Sequence, residues 1–104
     1  DGKYVATIGY VETFRRTVSK PHVKFHVRLT EGEYAGLIIP KILWLHTKDS
    51  HAQFVKEMQQ IGFSINDLDE LVQNESALIG LPIVIQIRRL MNNNAPQIYF
   101  LRRA

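Results

Sequence analysis

The sequence predicts a mainly β domain with a helical insertion, and three observations carry this reading. Residues 3–14 and 22–30 are rich in β-branched and aromatic residues, and the second of these runs alternates cleanly between apolar and polar positions. Residues with helical spacing occupy the middle of the chain. Residues 83–103 then return to β-type alternation, broken by a polar loop at Asn92, Asn93, Asn94, Ala95 and Pro96. At 104 residues the chain has room for one core and not two, so residues 1–104 are expected to form a single domain.

The first strand is expected from Lys3 to Phe14, with Gly9 marking a bend or bulge. The second, His22 to Thr30, places Val23, Phe25, Val27 and Leu29 on one face and His22, Lys24, His26, Arg28 and Thr30 on the other, a half-buried strand with a basic outer side. Between them FRRTVSKPH reads as a loop, and TEGEYAG after the second strand reads as a turn. A third strand from Leu37 to His46 contains Pro40, which belongs on a sheet edge or at a bulge because it has no N–H to donate. If Leu43 and Leu45 point inward, Trp44 points outward beside Ile42 and Pro40.

Ser50 with Gln53 has the spacing of a capping box, and the helix it opens presents Phe54, Val55, Met58 and Ile61 before stopping at Gly62. Asn66 is expected to cap a shorter helix through Leu71. In the last third, Ile83, Ile85 and Ile87 alternate against Val84, Gln86 and Arg88, and Gln97 to Arg103 pairs back as the final strand. Three antiparallel strands leave open edges, and a two-stranded hairpin reached through a helix can cover both by closing a small barrel. This is the order of a five-stranded OB-fold barrel, its helix plugging one end with Phe54, Met58 and Ile61. The alternative built from the same elements is an α+β sandwich with an open sheet and the helix on one face.

Composition excludes several function classes. With no cysteine there are no disulfides, zinc knuckles or thiol nucleophiles. No apolar run approaches the roughly 20 residues needed to cross a bilayer, and no charged-then-apolar leader opens the chain, so a cytoplasmic protein without a membrane partner is expected. The start at Asp1 rather than Met is expected of a trimmed piece. Charge is segregated. The stretch from Thr47 to Ala77 holds Asp49, Glu57, Asp67, Asp69, Glu70 and Glu75 against Lys48 and Lys56, a net of −4, so the rest of the chain carries +7 of the total of +3. Such asymmetry points to a polyanionic partner.

Catalytic constellations are weak. His22 and His26 lie four residues apart on one strand face, roughly 13 Å and too far to share a metal. His46 and His51 have no carboxylate spaced to complete a ligand set. Asp67, Asp69 and Glu70 fall where carboxylates favour a helix N-terminus. With no phosphate loop and no serine elbow, the expectation is a protein that is not an enzyme and needs no cofactor or metal.

The segment TEGEYAGLIIPKILWL at residues 30–45, with the opening GKYVATIGYVE, the helix ending at Ile61 and Gly62, and LIGLPIVIQI at 78–87, resembles a family of small phage and prophage proteins associated with replication and recombination genes. The turn Glu31-Gly32-Glu33-Tyr34-Ala35-Gly36 is the most specific piece. A departure is Leu37, where family members often carry a basic residue. The resemblance implies an OB-type protein that binds single-stranded DNA in the cytoplasm of a bacterial host.

In an OB-fold, oligonucleotides lie on the outer face of strands two and three, flanked by the loops joining strands one and two and strands four and five. The candidate nucleic-acid-binding residues are therefore Arg15, Arg16 and Lys20 from the first loop, Lys24, His26 and Arg28 from strand two, Trp44, and Arg88 and Tyr99 from the last hairpin, with Arg89, Arg102 and Arg103 adding charge. Tyr10 and Phe14 are further aromatic candidates for which packing is the favoured role. Two function classes follow. The first is a non-catalytic single-stranded-DNA-binding protein of a phage or mobile element, with RNA as a second ligand. The second is an OB-type interaction module that docks a polymerase, helicase or recombinase through Ile38, Ile42, Trp44 or the acidic helical segment. Either is compatible with a homo-oligomer.

Overall fold

The structure is a computed structural model that describes residues 2–15, 20–89 and 96–104. Its elements are β1 (Gly2–Phe14), β2 (His22–Leu29), β3 (Ile38–Trp44), α1 (Lys48–Gln60), α2 (Leu68–Gln73), α3 (Glu75–Leu78), β4 (Ile83–Arg89) and β5 (Pro96–Arg103). The protein is mainly β. The strands form one antiparallel sheet in the order β3-β2-β1-β4-β5.

The long first strand serves both halves of the sheet. Its residues Gly2 to Ala6 pair with β4, and Ala6 to Phe14 pair with β2. At Gly9 the pairing with β2 shifts register between Ile8 and Tyr10, so the expected bulge is present. A bulge adds one residue and inverts the side-chain phase beyond it. Ala6 and Ile8 are buried before it, and Val11 after it. Tyr10 and Phe14 consequently emerge on the outer face, 56% and 36% exposed, in place of the packing role expected for them.

β2 follows the expected alternation, with Val23, Phe25, Val27 and Leu29 buried. In β3 the alternation runs without a break past Pro40, and Ile39, Lys41 and Leu43 are buried while Ile38, Pro40, Ile42 and Trp44 are exposed. Pro40 is tolerated because β3 is an edge strand of the sheet.

α1 starts a turn earlier than the Ser50 spacing implies. Thr47 Oγ1 accepts from the Ser50 N–H at 3.0 Å, and Ser50 Oγ accepts from the Thr47 N–H at 3.1 Å, a reciprocal box that satisfies two free donors. The helix buries Phe54 and Met58 in the core, with the buried Ile61 at its C-cap. The short helix is capped by Asp67, not Asn66, through a 2.8 Å bond from the Glu70 N–H. Asp69 and Glu70 lie in its first turn.

Among the described residues no ladder joins β3 to β5. The sheet nevertheless curls until these two edges face each other. Phe25 of β2 meets Phe100 of β5 edge-on at 5.2 Å, and the Lys41 ammonium of β3 donates to the Ile98 carbonyl of β5. α1 packs against both edge strands and supplies Glu57, whose Oε1 lies 3.0 Å from Lys41 Nζ and accepts from the Phe100 N–H at 2.8 Å. A buried ion pair thus spans the gap, one member engaging a β5 carbonyl and the other a β5 amide. Burial pushes the Lys41 ammonium below the ordinary lysine value of 10.5, while the adjacent Glu57 carboxylate pulls it back up. The net direction is down.

Candidate nucleic-acid interface

Register decides which side chains share the outer face of β1, β2 and β3. Phe14 pairs with His22 and His22 with Trp44, so three rings from three strands form one row. Phe14 stacks on His22 at 4.4 Å with 8° between the planes, and His22 meets Trp44 at 4.5 Å and 41°. His46 then contacts the indole edge-on at 5.6 Å. The His22 Nδ1–H donates to the Lys20 carbonyl at 2.8 Å, which holds the imidazole between its neighbours. Trp44 is 40% exposed, so its phase is the outward one.

The next rows carry charge. Glu12, Lys24 and Ile42 lie side by side, followed by Tyr10, His26 and Pro40, and then Arg28 beside Ile38. His26 Nε2 sits 2.7 Å from Glu12 Oε1, and its ring lies 5.3 Å from that of Tyr10. His26 is therefore engaged by a carboxylate, whereas Arg28 is exposed and Lys24 half-buried. Lys20 is exposed just before β2.

Other sequence-derived candidates lie elsewhere. Arg15 is exposed at the end of β1 but forms a 2.7 Å ion pair with Asp69 of α2, so an incoming phosphate must compete with that carboxylate. Arg16 lies outside the described residues. Arg88 and Tyr99 stand on β4 and β5, where they line a recess against Lys56 and Gln60 of α1. Arg103, grouped with the groove cations from sequence, leaves them: its Nε donates to the Ile61 carbonyl at 2.8 Å and its guanidinium lies 5.4 Å from the Phe63 ring. A cation at a helix C-terminus satisfies carbonyls that have no partner in the helix.

The structure thus brings Lys20, Lys24, His26, Arg28 and Trp44 to one face and Arg88 and Tyr99 to another. The two groups approach at the gap between β3 and β5, where Trp44 and Tyr99 line the same cleft. Sequence reasoning ranks three members of this region too low. Tyr10 and Phe14 are aromatic candidates for which packing is favoured, and His22, placed on the outer side of strand two, is weighed only as a metal ligand and not as a ring in the platform. A spacing signal for His22 is nonetheless present, since it shares the outward phase of Lys24 and His26.

The row leaves Phe14 and Trp44 at its two ends partly exposed next to cationic groups, a combination suited to contacting bases and neutralising phosphates. Among the described residues, no three His, Asp or Glu side chains gather at metal-binding distance, and no helix is long and apolar enough to cross a membrane. In comparisons with known proteins, no family model matches the sequence and no curated protein matches it.

Proposed function

We propose that this chain is a non-catalytic single-stranded-DNA-binding protein of OB type, acting in replication or recombination of a phage or mobile element in a bacterial cytoplasm. The single observation that carries the reading is the row Phe14, His22 and Trp44 across three strands, bordered by Lys24 and Arg28. Stacked bases in a duplex cannot reach such a platform, and the unstacked bases of a single strand can. The OB assignment draws support from the shared first strand with its mid-strand bulge, the helix between the third and fourth strands, and the approach of β3 to β5. The resemblance of residues 30–45 and 78–87 to the phage family points the same way.

A second reading, docking of a replication or recombination enzyme, is favoured by one observation: Ile38 and Ile42 are 56% and 45% exposed on the same strand as Trp44. Salt separates the two. Fluorescence anisotropy with labelled oligo-dT, its duplex and an RNA of equal length, at two salt concentrations, should show tightest binding to a single strand and a steep loss with salt. Lys24→Ala with Arg28→Ala should flatten the logarithmic salt slope by about 0.7 for each phosphate no longer neutralised. Equal affinity for duplex and single strand rejects the reading, and salt-insensitive capture of a protein partner without oligonucleotide binding favours the second.

A further inference from the structure

Where β3 and β5 fail to pair, the sheet leaves a cleft of about 280 Å³ whose floor is the Lys41–Glu57 ion pair. Its rim carries one large aromatic ring from each edge strand, Trp44 of β3 and Tyr99 of β5. Two amides also reach it, Gln53 of α1 and Gln97 of β5. Their hydrogen bonds fix what each can offer a guest. Gln53 Nε2 donates to Glu57 Oε2 at 2.9 Å, which orients the amide and leaves its Oε1 to accept. Gln97 Oε1 accepts from the Tyr99 hydroxyl at 2.8 Å, which leaves its Nε2 to donate.

We infer that this cleft is a nucleobase subsite, taking one base of a bound single strand between Trp44 and Tyr99 with its hydrogen-bonding edge toward Gln53 and Gln97. The inference rests on the single-strand reading above and adds a site to it. Three properties select this occupant. The volume suits one flat ring system and little more. One free amide acceptor and one free amide donor match the neighbouring donor and acceptor that each base carries on its pairing edge, an edge a duplex has already used. The charged floor disfavours an apolar peptide side chain, which would cover polar groups without bonding them. Stacking and hydrogen bonding then act together, and neither depends on phosphate charge.

The test compares oligo-dT with an equally long oligomer of abasic sites, which keeps the phosphates and removes the bases. Anisotropy titrations of the wild-type protein, Tyr99→Leu and Gln97→Ala supply the readout, with Gln97 exposed so that its truncation leaves the fold intact. Wild type should bind oligo-dT more tightly than the abasic strand. Tyr99→Leu should weaken oligo-dT binding roughly 5- to 150-fold and Gln97→Ala roughly 2- to 13-fold, with abasic affinity and salt slope unchanged. Variants that bind oligo-dT like wild type, or that lose dT and abasic affinity equally, overturn the subsite while the single-strand reading stands. Wild type that does not distinguish the two strands also overturns it, and wild type that binds neither overturns the single-strand reading and the subsite together.

Discussion

Replacing Glu57 by leucine removes the carboxylate that accepts from the Phe100 N–H and neutralises Lys41. The side chains of Glu57 and Lys41 are 2% and 5% exposed, so water cannot take over either role. Breaking a buried pair in this way leaves an uncompensated charge and costs about 3–5 kcal/mol. For a domain near 100 residues that lowers Tm by upward of roughly 12 °C. The informative variant is the double one, Lys41→Met with Glu57→Leu. If the pair contributed only its own attraction, an apolar replacement would be neutral or stabilising by about 1–4 kcal/mol. Here each member also serves β5, Lys41 at the Ile98 carbonyl and Glu57 at the Phe100 amide. Two orphaned backbone groups cost about 1–3 kcal/mol each, roughly 2–6 kcal/mol together, against a gain of about 0–4 kcal/mol from removing the buried charges, so the double variant should remain about 2 kcal/mol less stable than wild type. Urea denaturation followed by far-UV circular dichroism measures this. A double variant as stable as wild type or more so would refute the view that side chains replace the missing β3–β5 ladder. The pH dependence gives a second check. Because the folded Lys41 value lies below 10.5, the unfolded chain binds more protons in the alkaline window ending there. Stability from this group therefore rises with pH through that window and is lost as pH falls through the folded value. The double variant should lack that contribution.

Two further outcomes are expected. Saturating oligo-dT should quench the emission of Trp44, the single tryptophan of the chain, and Trp44→Leu should weaken binding by about 1–3 kcal/mol; unchanged emission at saturation would remove the indole from the platform. Gly62→Ala should destabilise the fold by about 1–2 kcal/mol, because Gly62 has φ +93° and a Cβ would come within 2.5 Å of the Arg103 guanidinium that caps α1. Unaltered stability in a denaturant titration would show that the backbone there relaxes freely.

The legible part of the structure is whatever depends on near neighbours in the chain. The inward phase of Val23, Phe25, Val27 and Leu29 and the inward side of Phe54, Met58 and Ile61 follow from a two-residue or 3.6-residue period. The irregularity at Gly9 follows from residue type, whereas Pro40 is compatible with an edge or a bulge and so leaves the phase of Trp44 open in the sequence. The helix starts differ by one to three residues, because Thr47 and Asp67 compete as caps with Ser50 and Asn66 and win through side-chain bonds to N–H groups three residues on.

What the sequence by itself determined, then, was five strands, a longer and a shorter helix and the buried face of β2, since these are properties of local periodicity and backbone preference. Tertiary structure alone decided which distant side chains meet. Cross-strand register put Phe14, His22 and Trp44 in one row, and the bulge brought Phe14 and Tyr10 to that face. The curl of the sheet brought Lys41 to Glu57 and β5, turning a lone inward lysine and a carboxylate on a helix's apolar side into a strand clip. It also drew Arg15 to Asp69 and Arg103 to the end of α1, away from the charges they were grouped with in sequence. The physical reason is that period and capping involve groups within a few residues, whereas register and curvature are set by how the whole sheet packs on its core.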